Sequence, residues 1–79
     1  MKTKILFFGT TATDAGIRET EIDLEEGESV SSFLERITMQ NPRLANHKLL
    51  IAVNEEYAEL DAILKEGDEV AVFTAVSGG

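Results

Sequence analysis

The chain carries two strand-like runs that are apolar on both faces, one near each end, with a single clear amphipathic helix between them. In the first run, Thr3 to Phe8, Ile5 and Phe7 alternate with Leu6 and Phe8. In the last, Glu69 to Val76, Val70 and Val72 alternate with Ala71, Phe73 and Ala75. Successive side chains of a strand point to opposite faces, and a strand apolar on both is normally buried on both. One helix covers only one face, and a chain of 79 residues has little material left for the other. Ile5, Phe7, Val70 and Val72 are therefore expected to meet the helix, leaving Phe8 and Phe73 on the uncovered side. An exposed aromatic patch on a small domain marks a binding surface, so a partner protein is expected to cover it. The competing arrangement folds the stretch from Gly9 to Gly16, or the segment after Pro42, over that face.

The helix is written by Val30, Phe33, Leu34 and Ile37, which fall at i, i+3, i+4 and i+7 and form one stripe. Ser29 is a favourable N-cap, and Asn41-Pro42 stops the helix because the residue before proline is pushed out of the α region. Before it, Arg18 to Leu24 reads as an edge-type strand, with Ile22 and Leu24 inward and charges outward that discourage sheet-to-sheet association. With the first strand it predicts a hairpin closed by a long, turn-rich loop. After the helix come an apolar run, Leu49 to Val53, and a turn at Asn54, a residue that tolerates left-handed backbone. Tyr57 to Leu60 is a short strand candidate, Asp61 to Leu64 a single helical turn, and Lys65 to Asp68 a tight turn before the last strand. The class is α+β, in one domain.

Composition removes most catalytic chemistries. Fifteen acids against seven bases give a net charge of −8, which disfavours nucleic acid and favours partners with basic docking surfaces. The apolar start, Ile5 to Phe8, is too short for a membrane span or a secretory segment, so a cytoplasmic location is expected and no membrane partner. With no cysteine there is no thiolate nucleophile and no zinc–thiolate site. His47, beside Lys48, reads as a solvated loop residue, and no metal site is expected. The isolated glycines Gly9, Gly16, Gly27 and Gly67 make no phosphate loop. Paired acids such as Glu25-Glu26 and Glu55-Glu56 read as turn charge. What remains is the end of the sequence, Ser77-Gly78-Gly79, directly after a strand. A glycine pair offers a carboxylate on a narrow stalk that any Cβ would widen; the plain alternative is a frayed terminus. The acids Glu55, Glu56, Glu59, Asp61, Glu66, Asp68 and Glu69 crowd the C-terminal third. They are expected to give the end where this tail emerges a negative field that steers it towards a basic cleft.

The element order and the terminal glycine pair resemble the ubiquitin-like β-grasp fold, a mixed sheet of four to five strands with one main helix on one face. The residues resemble the sulfur carriers of the MoaD/ThiS superfamily, and within it the MoaD branch, small subunits of molybdopterin synthase. The matching stretches are Lys4 to Phe8, Leu49 to Asn54, and Leu64 to Phe73 leading into Val76-Ser77-Gly78-Gly79. Two stretches depart from that branch. Thr74-Ala75 stands where Pro-Pro is usual, and Thr10 to Asp14 where an Arg-Glu pair is usual; a Thr-Ala-Val ending looks more like ThiS, which feeds thiamine thiazole synthesis.

The resemblance implies a β-grasp domain over residues 1–76 and a flexible tail over 77–79. It implies that the Gly79 carboxylate is adenylated by an ATP-dependent, MoeB-like enzyme, then converted to a thiocarboxylate with sulfur from a donor. The tail then enters a MoaE-like large subunit, which builds the dithiolene of molybdopterin. On this reading the chain binds no cofactor itself and is carrier and co-substrate rather than catalyst. Phe8, Tyr57 and Phe73 match the apolar positions that meet both partners; Tyr57 rests on the resemblance alone. A ThiS-like carrier, a ubiquitin-like modifier joined to lysines through Gly79, and an interaction module with incidental glycines stay open.

Overall fold

The computed structural model describes residues 1–75. The elements are β1 (Lys2–Phe7), α1 (Thr10–Ala15), β2 (Glu19–Asp23), α2 (Val30–Gln40), a 3-10 helix (Pro42–Asn46), β3 (Leu49–Val53), β4 (Glu56–Tyr57) and β5 (Glu69–Thr74). They form one mixed five-stranded sheet in the order β2-β1-β5-β3-β4. The central pair β1 and β5 is parallel, and every other pair is antiparallel. The two strands that are apolar on both faces thus lie in the middle of the sheet, and the charged β2 and the short β4 form its edges. This is the ubiquitin-like β-grasp arrangement.

The strand parity holds. Ile5, Phe7, Val70 and Val72 are buried with Val30, Phe33 and Ile37 of α2 in one core, closed by Leu24, Leu44, Ile51 and Leu64. Leu34, the fourth residue of the helical stripe, packs against its margin. Ser29 caps α2 as expected, its side chain accepting the Ser32 N–H at 3.1 Å. Asn41 leaves the α region at φ −133°, ψ 83°, as the following proline requires. The start of α2 is also held by a buried acid just before it. The buried Glu28 carboxylate accepts from Arg36 Nε and Nη2 at 3.0 and 2.8 Å, from the Ser32 hydroxyl and from the Glu25 N–H. The Arg36 guanidinium holds the Glu28 carboxyl below the usual glutamate range despite its burial.

Several local expectations need correction. The stretch after Gly9 is a short helix rather than a loop. Asp61 to Leu64 is no helical turn: Ile63 forms an isolated bridge with Ser29, and Leu64 N–H bonds to Glu28 O. The strand expected over Tyr57 to Leu60 is only Glu56–Tyr57: after one further bond, Ala58 N–H to Ile51 O at 2.9 Å, the chain turns to α2, where Leu60 O and Ala62 O accept from Ser31 and Val30. The turn between β3 and β4 has positive φ at both Asn54 (53°) and Glu55 (71°), the geometry a two-residue hairpin turn demands.

Candidate partner-binding face and tail root

Directly paired residues share a face of a sheet, so the register settles which side chains lie opposite the helix. Leu6 pairs with Ala71, Leu50 with Phe73, and Ala52 with both Ala71 and Tyr57. Phe8, one residue past β1, continues the ladder through its N–H to Val72 O at 3.0 Å. The three aromatic positions expected from sequence therefore meet on one face. Phe8 is 53% exposed and Tyr57 79%, with Phe73 half-buried between them. The Tyr57 and Phe73 rings lie 5.7 Å apart at 57°, a tilted pair that fixes both. Phe8, Gly9, Ala71, Phe73 and Thr74 line a shallow groove beside them. The other half of the face is polar, with Lys4 reaching Glu19 at 3.7 Å and Glu69 at 3.8 Å.

Neither α1 nor the 3-10 helix folds over this face. Both pack on the helix side: Thr11 and Leu44 are fully buried, and Ala12 and Ala15 lie against the core. Thr11 had no sequence signal as a core residue, yet its hydroxyl accepts the Phe8 N–H at 3.0 Å. The same oxygen lies 2.7 and 2.8 Å from the carbonyl oxygens of Phe8 and Val72. It thereby joins the ends of β1 and β5 where Phe8 is presented. His47 is exposed in the bend between the 3-10 helix and β3, as expected, and there its Nε2 lies 2.6 Å from Asp14 Oδ2. That pair is 33 residues apart in sequence, with nothing local to announce it.

The described chain leaves the sheet at Thr74, which pairs with Leu49 on one side and approaches Thr10 on the other, hydroxyl to hydroxyl at 3.4 Å. Ser77, Gly78 and Gly79, together with Val76, lie outside the described residues. The acids expected around the tail are at the wrong end. Glu69 opens β5 opposite Lys4, and Asn54 ties both Glu69 and Asp68 to the β3–β4 turn through bonds of 2.8–3.0 Å. Glu56, Glu59 and Asp61 border a depression lined also by Asn54 and Asp68, and Glu66 lies in the adjoining turn. Five residues of strand, about 17 Å at 3.3 Å per residue, separate this end from Thr74. Closeness in sequence did not mean closeness in space, because β5 crosses the whole sheet. Among the described residues no helix is long and apolar enough to cross a membrane.

A mixed sheet with a central parallel pair, one covering helix and an open aromatic face defines the class as a ubiquitin-like β-grasp protein. The family model described as the ThiS family matches residues 5–79. The molybdopterin synthase sulfur carrier subunit of Mycobacterium tuberculosis (strain ATCC 25618 / H37Rv) is 35% identical over 83 residues, covering 100% of this chain and 99% of that protein. That of Escherichia coli (strain K12) is 35% identical over 80 residues, covering 96% and 98%. Among solved structures, the putative molybdopterin converting factor, subunit 1, from Pyrococcus furiosus is 32% identical with a TM-score of 0.88, covering 96% and 99%. The chain belongs to the ThiS family.

Proposed function

We propose that this protein is the sulfur-carrier subunit of a molybdopterin synthase. Full-length similarity to curated carriers of that name supports the pterin pathway over the thiazole one. The observation that carries the reading is the open aromatic face, contiguous with the end of β5. A partner seated on Phe8, Phe73 and Tyr57 would hold the body while the following residues reach its active site. A segment of three residues, as Ser77 to Gly79 is, spans at most about 10 Å. In the proposed cycle the Gly79 carboxylate attacks the α-phosphate of ATP on an adenylating enzyme and releases pyrophosphate. A sulfur nucleophile from a donor then displaces AMP, leaving a thiocarboxylate. Activation is needed because a carboxylate is a poor electrophile and lacks a leaving group. The large subunit takes the sulfur for the pterin dithiolene, and the carboxylate is regenerated. This chain supplies docking surface and terminus; ATP and the sulfur donor belong to its partners, in the cytoplasm.

Deleting Gly79, or adding one residue after it, is the direct test. Sulfur transfer should vanish while the melting temperature stays put, since the described core is complete without it. Gly78→Val should also fail, by widening the stalk. Full transfer by the extended variant would refute the assignment of the reacting carboxylate.

A further inference from the structure

We propose that Asp14 and His47 are positioning residues, whose contact locks α1 against the start of β3 and so fixes the direction in which the chain leaves β5. The proposal rests on the carrier reading, since only a chain whose end must reach a partner's active site needs a set exit.

β5 ends between two unlike neighbours. On one side Leu49, the first residue of β3, pairs with Thr74. On the other, β1 has already stopped and α1 takes its place. Thr11 sits at 2.8 Å from Val72 O, and Thr10 meets Thr74. Little in α1 itself holds it there beyond Gly16, whose left-handed backbone closes the helix with an N–H to Ala12 O at 2.9 Å. It has six residues, three of them threonine, and among the described residues no side chain caps it at Gly9. Helices this short are not stable on their own, and threonine is a poor helix former. Its front is pinned by Thr11. Its rear is pinned by Asp14, which reaches His47, the C-cap of the 3-10 helix and two residues before Leu49. The contacts close a ring around the end of β5, from Thr74 to Leu49, His47, Asp14, α1 and Thr10. The ring lies on the helix side of the sheet, behind the aromatic face. Opening it at the Asp14–His47 contact would leave the core and the Phe8, Tyr57 and Phe73 side chains in place but release Thr74 and Ala75 from one wall.

The test uses the full chain as substrate for its adenylating enzyme, comparing wild type with Asp14→Ala, His47→Ala and the double variant. The apparent KM, set by the aromatic face, should stay within about twofold. kcat should fall roughly tenfold, because displacing a reacting group by about 1 Å can cost up to a hundredfold. The double variant should be no worse than either single one, and His47→Gln, which still offers Asp14 an N–H, should recover most of the rate. A structural role alone would lower the melting temperature and leave kcat unchanged, which would overturn the proposal. A second readout needs no partner. Backbone amide NMR of Asp14→Ala should show shifts at Thr74 and Ala75 with Tyr57 unmoved; unmoved Thr74 and Ala75 signals would likewise overturn it. If wild type is not adenylated at all, the carrier reading fails, and the NMR result still decides whether the ring orders the exit.

Discussion

Phe7 and Phe8 are neighbours in sequence with opposite assignments, and replacing each by alanine should separate them cleanly. Phe7 is 4% exposed in the core, so Phe7→Ala should cost about 3–5 kcal/mol of stability. For a domain of this size that lowers the melting temperature by more than about 12 °C. Phe8 is 53% exposed. A phenylalanine presents about 150–250 Å², so about 100 Å² remains for a partner to cover. At about 25 cal/mol per Å² this is about 2.5 kcal/mol, roughly seventyfold in Kd if coverage is complete. Phe8→Ala should therefore weaken binding to the large subunit ten- to a hundredfold with a much smaller change in melting. Thermal unfolding and calorimetric titration of both variants make the measurement. Exchanged phenotypes would mean that β1 is turned over by one residue, and would refute the assignment of the face.

Thr3 is fully buried and its hydroxyl finds no partner among the described residues, so Thr3→Val should stabilise the fold by about 1 kcal/mol, read by denaturant unfolding. Glu55→Gly would give the β3–β4 turn the Asn-Gly pair its positive φ angles favour. It should raise stability by about 0.5–1 kcal/mol, and a loss would contradict the turn geometry. The lowered carboxyl of Glu28 favours the folded state fully above the ordinary glutamate range, and this contribution is lost as pH falls through its folded value. The melting deficit of Glu28→Gln should accordingly be largest near neutral pH and shrink in acid; a pH-independent deficit would refute the Arg36 pairing as its cause.

The main elements were legible because period and punctuation agreed. The Val30–Phe33–Leu34–Ile37 stripe, its Ser29 cap and the Asn41-Pro42 stop specified α2, and the parity of β1 and β5 specified both the core and the open face. What stayed hidden depends on contacts remote in sequence. Thr10–Ala15 has weak helix propensity and folds into α1 because Thr11 and Asp14 are held by β1, β5 and His47. Leu44 follows a proline in a polar stretch and gives no periodic signal, yet it is wholly buried. Glu28 gave no signal because its partner lies two helical turns further on, at Arg36. The acids near the end of the sequence misled for the same reason, since nothing local says that β5 carries the chain away from them. Of the candidate site, Phe8 and Phe73 follow from parity and Tyr57 from resemblance, while the ring behind them is purely tertiary.

The central claim is that the terminal carboxylate carries sulfur, and intact mass of the protein purified from its own host tests it most directly. A species in which one oxygen of Gly79 is replaced by sulfur should be present. That species should disappear when the adenylating enzyme is absent and return when enzyme, ATP and a sulfur donor are supplied. Ladders of protein joined through lysine would instead make the chain a modifier. An unaltered mass beside an active adenylating enzyme would contradict the account outright.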